Sequence, residues 1–382
     1  MSFSKTIAPI IIAVFAVYLT IGMTLGVLPG FVKNDLLCGN ATVGLVVGLQ
    51  ALATLLTRAY SGRLTDTRGA KTSIARGIVL IISSGIIYMV AVALSRHTML
   101  ALALTLIART IHGISESLLV TGALTWGIGL AGIQRSGKVM TWNGIAMYAG
   151  IAAGAPAAIW LKASCGPIYV FATIIPLAVV SLLATQRLEV LPADAAHIRT
   201  PFYKVVGLIA RQGTALAFAS IGFACISSFI ALLFASRSWG NPSAAFIAFG
   251  GSYILTRIFF ASLPDRFGGY KVAIVSLAVE IVGQLLIGWA PGATLAIVGC
   301  CLTGTGFSLI FPSLGVLAIQ KVAPQMRGTA LGAYSAFFDL SLGLAGPVAG
   351  IIAGCYQYQA VYFFGAISGV LAILILSVNK NK

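Results

Sequence analysis

The sequence predicts an all-α integral membrane fold: twelve transmembrane helices in two pseudo-symmetric six-helix bundles. Three observations carry that prediction. Apolar residues make up 59% of the chain and charged residues 8%, with a mean hydropathy of +1.01, far outside the range of soluble domains. Apolar stretches long enough to cross a bilayer follow one another along the whole chain. One phrase also occurs twice, half a chain apart: Leu56-Thr57-Arg58 followed by Asp66 and Gly69, and Leu255-Thr256-Arg257 followed by Asp265 and Gly268.

A hydrocarbon core about 30 Å thick takes roughly 20 apolar residues per helical crossing. The predicted crossings are 8–31, 41–60, 75–94, 99–122, 141–161 and 168–186 in the first half. Those of the second half are 214–235, 243–262, 272–290, 294–319, 328–354 and 360–378. The first is too long for a secretory signal, carries Pro29-Gly30 at its far end and leads straight into further crossings, so no cleavage is expected. The halves are 1–186 and 213–382. Between them 187–212 is the longest polar stretch, with Glu189, Pro192, Asp194, His197, Arg199 and Pro201, and it reads as a cytoplasmic linker. Within it, Pro201 to Arg211 mixes apolar and basic residues, which suits either a helix lying on the membrane surface or a plain loop.

Lysine and arginine fall unevenly on alternate loops. One side holds Lys5, Arg58, Arg63, Arg68, Lys71, Arg76, Arg135, Lys138, Arg187, Arg199, Lys204, Arg211, Arg257, Arg266, Lys271, Lys321, Arg327, Lys380 and Lys382. The other has Lys33, Arg96, Lys162 and Arg237, with Arg109 inside a crossing. The positive-inside bias puts both termini in the cytoplasm. It also accounts for the net charge of +16 without nucleic acid, which would need one continuous basic surface.

Each repeated phrase ends in a basic turn, Arg68-Gly69-Ala70-Lys71 and Arg266-Phe267-Gly268-Gly269-Tyr270-Lys271. Between the second and third crossings, Gly62-Arg63-Leu64-Thr65-Asp66-Thr67-Arg68-Gly69-Ala70-Lys71 resembles the signature loop of the major facilitator superfamily. It departs from the usual pattern at Thr67 and Arg68, where that family more often has a basic residue and then an aromatic; the second copy has Arg266-Phe267. The resemblance covers the whole chain and implies two six-helix bundles, a substrate held near mid-membrane and alternating access. Arg58, Gly62, Asp66, Arg68, Gly69, Lys71, Arg257, Asp265, Arg266 and Gly268 are then expected to form a conformational latch. A carboxylate such as Asp66 can accept from a helix N-terminus and pair with a nearby arginine. Thr121 to Gly127, Ser136 to Gly144 and Asp265 to Gly269 further resemble YfcJ/YhhS-type bacterial inner-membrane transporters, an arabinose efflux permease-like group.

A second repeated device is a cluster of small residues. Gly150, Gly154 and Pro156 in the fifth crossing are answered by Gly343, Gly346, Pro347, Gly350 and Gly354 in the eleventh. Such spacings let helices approach closely. By the resemblance, Gly-Pro motifs in the fifth crossing accompany antiporters, where they bend and pack the helix; here Ala155 separates Gly154 from Pro156.

Ionisable groups deep in crossings cost roughly 2.5–3.5 kcal/mol each unless they face a partner or a cavity. They are Arg109, His112, Glu116, Glu280 and Asp339. At 100° per residue, Arg109, His112 and Glu116 lie on one helix face. Arg109 with Gly113 four residues on resembles a pattern of the fourth crossing in related antiporters, which implies that Arg109 modulates proton coupling, with Glu116 as the protonatable carboxylate. A static ion pair that orients helices, with His112 as a packing residue, is the competing reading. Asp339 binds substrate, carries a proton or accepts a hydrogen bond from another helix; Glu280 with Gln284 is a similar case. Gln50, Trp126, Trp142, Asn143, Tyr148 and Tyr334 are further polar and aromatic candidates, with His112 and Glu280, for a substrate cavity.

Gly127-Ile128-Gly129-Leu130-Ala131-Gly132 has dinucleotide-loop spacing, but it follows a long apolar helix instead of a strand. The six cysteines lack metal-ligand spacing; Cys38, Cys165 and Cys355 lie near the outer side, as free thiols or as an oxidised pair. No cluster of nucleophile and base suggests an enzyme, no phosphate loop suggests ATP-driven transport, and no cofactor or metal is expected. The sequence therefore reads as a secondary transporter, monomeric, in a bacterial inner membrane, with protons, a small-molecule substrate and the lipid bilayer as its partners. Proton-coupled efflux is the leading reading; proton symport or facilitated diffusion of a sugar-like metabolite is the alternative, with a membrane-embedded enzyme or sensor as a remote one.

Overall fold

A computed structural model describes residues 3–132, 135–190, 202–322 and 327–378. The helices are α1 (Phe3–Gly30), α2 (Asn40–Arg68), α3 (Ala70–Ala93), α4 (Thr98–Ala131), α5 (Ser136–Cys165), α6 (Pro167–Ala172), α7 (Ile174–Gln186), α8 (Phe202–Ser236), α9 (Ser243–Phe260), α10 (Leu263–Phe267), α11 (Gly269–Gly288), α12 (Ala293–Ile319) and α13 (Arg327–Ser377). Among the described residues, eleven helical stretches are long and apolar enough to cross a membrane, the last of them Ala330–Ser377. That last stretch is long enough for two crossings and breaks at Tyr356 (φ −129°, ψ 15°) and Gln357 (φ 70°, ψ 169°). The described residues therefore hold twelve crossings, as expected. Helices suit such a chain because each satisfies its own backbone hydrogen bonds where no water can.

Local chemistry sets the helix ends. The sixth crossing is divided into α6 and α7 at Thr173, because Pro176 has no N–H to return to the turn before it. After Pro29-Gly30, α1 widens into a π-helical turn, Phe31–Asp35. The repeated motif proves to be mostly helix: Arg58, Gly62, Asp66 and Arg68 ride on the last turns of α2, and the turn itself is Gly69. Gly69 (φ 85°, ψ 154°) and Gly268 (φ 84°, ψ 137°) precede α3 and α11 in the same left-handed conformation, one that a side chain would strain. The duplication seen in sequence is thus a duplication of backbone geometry. Residues 202–211 are the opening turns of α8, while Arg199 and the rest of 191–201 lie outside the described residues, as do Lys380 and Lys382.

The chain forms two compact units, Met1–Cys38 with Leu49–His197, and Gly39–Gly48 with Ile198–Lys382. In the first, α1 packs backbone to backbone on α5. A methyl group added at Gly22 would lie 2.6 Å from the Ile151 carbonyl oxygen, and one at Gly150 2.7 Å from the Leu19 nitrogen. The chain leaving α7 is held from two sides. Lys71 Nζ donates to the Gln186 carbonyl at 2.6 Å and to Leu188 at 3.4 Å, and Trp126 Nε1 donates to the Glu189 carbonyl at 2.9 Å. Trp126→Phe keeps the ring and removes that bond, worth about 1 kcal/mol. The expected outcome is faster limited proteolysis just beyond Glu189; an unchanged cleavage rate would mean the indole holds nothing.

In the second unit the core is aromatic. Phe223 of α8 stacks on Phe249 of α9 and Phe307 of α12, with centroids at 5.3 and 5.8 Å, and Phe307 stacks on Phe338 of α13 at 6.3 Å. The glycines of the eleventh crossing are met by the first turns of α2, which belong to this unit. Methyl groups at Gly346 and Gly350 would overlap the carbonyls of Gly44 and Asn40. Arg211 caps the end of α13, donating from Nε to the Ile375 carbonyl at 3.1 Å.

Candidate functional site

In the first unit, α1 and α2 bring polar side chains to α4. Arg109, His112 and Glu116 lie on one face of it, as their spacing requires, with Arg109 2% exposed, His112 fully buried and Glu116 partly buried. Arg109 Nη1 donates to Thr24 Oγ1 at 3.1 Å. His112 Nε2 lies 3.2 Å from Thr20 Oγ1. The Thr20 proton goes to the Val17 carbonyl at 2.6 Å, which makes His112 Nε2 the donor of that pair, and His112 Nδ1 is buried without a partner.

Glu116 is held by neutral donors from two other helices. Tyr18 of α1 donates to Oε1 at 2.8 Å. Gln50 of α2 donates from Nε2 to Oε2 at 2.8 Å, with Thr54 Oγ1 at 3.3 Å from the same oxygen. This suits an ionised carboxylate, because both oxygens accept and neither faces an acceptor. The arrangement can also change: Thr54 has one proton, and the Gln50 and Gly113 carbonyls lie 3.0 Å from its oxygen, while Gln50 Oε1 is buried with no partner. If Glu116 took a proton, the Gln50 amide could turn and accept it.

Gly113 permits this meeting. A methyl group there would overlap the Gln50 carbonyl and lie 2.8 Å from Ala53 Cβ, so only glycine lets α4 come close enough to α2 for Glu116 to reach Gln50 and Thr54.

A family model described as Major Facilitator Superfamily matches residues 10–240 and 213–381. The chain belongs to the major facilitator superfamily. A relative in Salmonella typhimurium is 40% identical over 98% of this chain and 96% of its own length. Another in Pseudomonas aeruginosa is 42% identical over 98% and 94%. Both are described as uncharacterized MFS-type transporters. Among solved structures, a D-xylose-proton symporter shares the fold with a TM-score of 0.78 at 18% identity, covering 98% of each chain. The human organic anion transporter MFSD10 gives 0.73 at 16%, covering 99% of this chain and all of its own.

For this superfamily member, the structure brings together part of what the sequence proposed. Gln50 meets Glu116 directly, on the same face of α4 as Arg109 and His112, which bond to threonines of α1. Other cavity candidates are engaged elsewhere. Trp126 grips the chain after α7, and Tyr334 donates to the Phe311 carbonyl at 2.9 Å, across to α12. Asn143 is buried and lies 3.3 Å from Met147 Sδ on its own helix. Tyr148 is buried and Trp142 is half exposed. Asp339 (4% exposed) and Glu280 (2%) are buried in the second unit, with Asp339 on α13 and Glu280 on α11. A separate hollow of about 450 Å³ in that unit is lined by Ser236, Arg237, Gln357 and Tyr358, where α13 breaks.

The two motif arginines differ. Arg257 is buried, donates to the Tyr253 hydroxyl at 2.6 Å and sits 5.2 Å from that ring's centre, whereas Arg58 is partly exposed. Of the remaining latch candidates, Arg68, Asp265 and Arg266 are exposed and Asp66 is partly so. Gly343 packs against Gly48, whose added methyl group would lie 3.2 Å from Pro347 Cδ. Pro156 lies inside α5, which stays one helix through it.

The residues that sequence reasoning missed are Tyr18, Thr20, Thr24 and Thr54. Each is a common residue in an apolar helix, and the only available signal was that Thr54 follows Gln50, and Thr24 follows Thr20, by one turn.

Proposed function

We propose that this protein is a proton-coupled exporter of a small organic solute in a bacterial inner membrane, working as a monomer by alternating access. Glu116 is its proton carrier and Arg109 the modulating charge. The observation that carries this reading is the partly buried Glu116 carboxylate, ringed by Tyr18, Gln50 and Thr54 one face-turn from Arg109 and His112. Its donors are neutral and Gln50 keeps a buried, unused oxygen, so the same side chains can serve the carboxyl with or without its proton. Asp339 is the second coupling carboxylate, and the α2–α3 turn with its second copy is the latch. The solved neighbours are described by different cargoes, a sugar and organic anions, so the solute is to be found by experiment. The kinship to the arabinose efflux permease-like group belongs to the same proposal.

The test is metabolite and toxin-resistance profiling of cells expressing wild type, Glu116→Gln or Asp339→Asn at matched membrane levels. A compound depleted only by wild type is the expected result. Accumulation of a compound in wild-type cells would replace export by symport or facilitated entry, and identical profiles for all three proteins would remove both carboxylates from the mechanism.

A further inference from the structure

Glu280 stands outside the network around Glu116 and poses a problem of its own. It lies on α11, with Gln284 one turn later and fully buried. Glu280 Oε2 and Gln284 Oε1 are both buried and have no hydrogen-bond partner. The backbone closes tightly around them. A methyl group at Gly222 of α8 would overlap Glu280 Oε1 and lie 3.2 Å from Gln284 Nε2; one at Gly365 of α13 would overlap Gln284 Oε1. On α12, a methyl group at Gly306 would come within 2.6 Å of the Glu280 backbone nitrogen.

Two orphaned acceptors on one helix face are an unstable arrangement if Glu280 is ionised, since a carboxylate and an amide oxygen both lack a hydrogen to share. A cation could compensate, but among the described residues Glu280 makes no ion pair with a lysine, arginine or histidine. The titratable group that faces it is the Cys225 thiol of α8. Beyond Cys225 lie Cys300 of α12 and Tyr362 of α13, and none of the three carries positive charge. A bound metal ion fits no better. Among the described residues no three histidine, cysteine or acidic side chains come together here, and Gln284 Nε2 donates elsewhere, to the Gly222 carbonyl and Thr303 Oγ1, each at 3.3 Å.

We propose that Glu280 is a proton-binding site of the second unit, carried here as the neutral acid with its O–H shared with the Gln284 amide. One proton supplies the donor that both orphaned oxygens need. Glycines at 222, 306 and 365 let three helices close over the acid, and the site exchanges its proton only when that packing loosens. The proposal deepens the transport reading by adding a second proton site; it rests on that reading for the use of the proton and not for its presence.

Infrared difference spectroscopy of the full chain in lipid nanodiscs tests it without any solute. The expected result at pH 7 is a C=O stretching band of a protonated carboxyl that Glu280→Gln loses, Glu280→Asp shifts and Glu116→Gln keeps. A spectrum with no such band, or one that Glu280→Gln leaves intact, overturns the proposal. Loss of the band on adding sodium chloride at constant pH overturns it too, by making the occupant a metal ion. Because no flux is measured, failure here leaves export by way of Glu116 standing, and failure of export leaves this site standing.

Discussion

Glu116→Gln is expected to lose most solute movement driven by a pH gradient while keeping movement down a solute gradient. Glutamine matches glutamate in shape and holds the neutral state permanently. In the wild type the carboxylate accepts from Tyr18, Gln50 and Thr54, and hydrogen bonds to a charged group contribute about 1.5–3 kcal/mol each. On the proposed mechanism protonation weakens all of them at once, and the Gln50 amide turns to present its unused oxygen. That change is large enough to alter the balance between conformations by more than about tenfold. The variant cannot make it, so proton-driven flux in proteoliposomes is expected to fall by at least about tenfold, with downhill exchange retained. Tyr18→Phe removes one donor of the three and is expected to give a partial loss. If Glu116→Gln still accumulated solute against its gradient under an imposed pH difference, the proton would travel by another group.

Gly154→Val is expected to leave little folded protein, whereas Gly144→Val on the same helix is expected to behave as wild type. A side chain at 154 would overlap the Leu19 carbonyl and lie 2.8 Å from the Met23 nitrogen and 3.0 Å from Gly22 Cα. All three are backbone atoms of α1 and cannot rotate away. At Gly144 nothing lies within 4 Å. Overpacking of a close contact costs about 1–3 kcal/mol or more, and valine's own helix propensity is the same at both positions. The yield of monodisperse protein on size-exclusion chromatography reads the difference; equal yields would show that α1 and α5 are not in backbone contact. The same contact gives the Gly150 and Gly154 motif a packing role whatever its part in antiport.

Much of the architecture was legible because each span answers to lipid on its own. Length and apolar content identify a crossing without reference to its neighbours, and the repeated Arg-to-Asp spacing showed the duplication that Gly69 and Gly268 confirm in their matching backbone. The site was half legible. Arg109, His112 and Glu116 share a helix, so 3.6-residue periodicity placed them on one face; Tyr18 and Gln50 come from other helices, 98 and 66 residues distant from Glu116. Trp126 and Tyr334 were read as cavity residues for their chemistry, yet each spends its donor on a main-chain carbonyl of another segment. Hydropathy carries no mark of such a partner.

The sequence by itself determined that this chain is a twelve-span, internally duplicated membrane protein with a few costly polar groups, because burial in lipid acts on each segment separately. Only the tertiary structure decided which of those groups meet. In a bilayer the helix core and the surrounding lipid are equally apolar, so no hydrophobic force dictates how each helix is turned. Close glycine contacts do: Gly113 brings Glu116 to Gln50, and Gly222 and Gly365 close around Glu280 and Gln284.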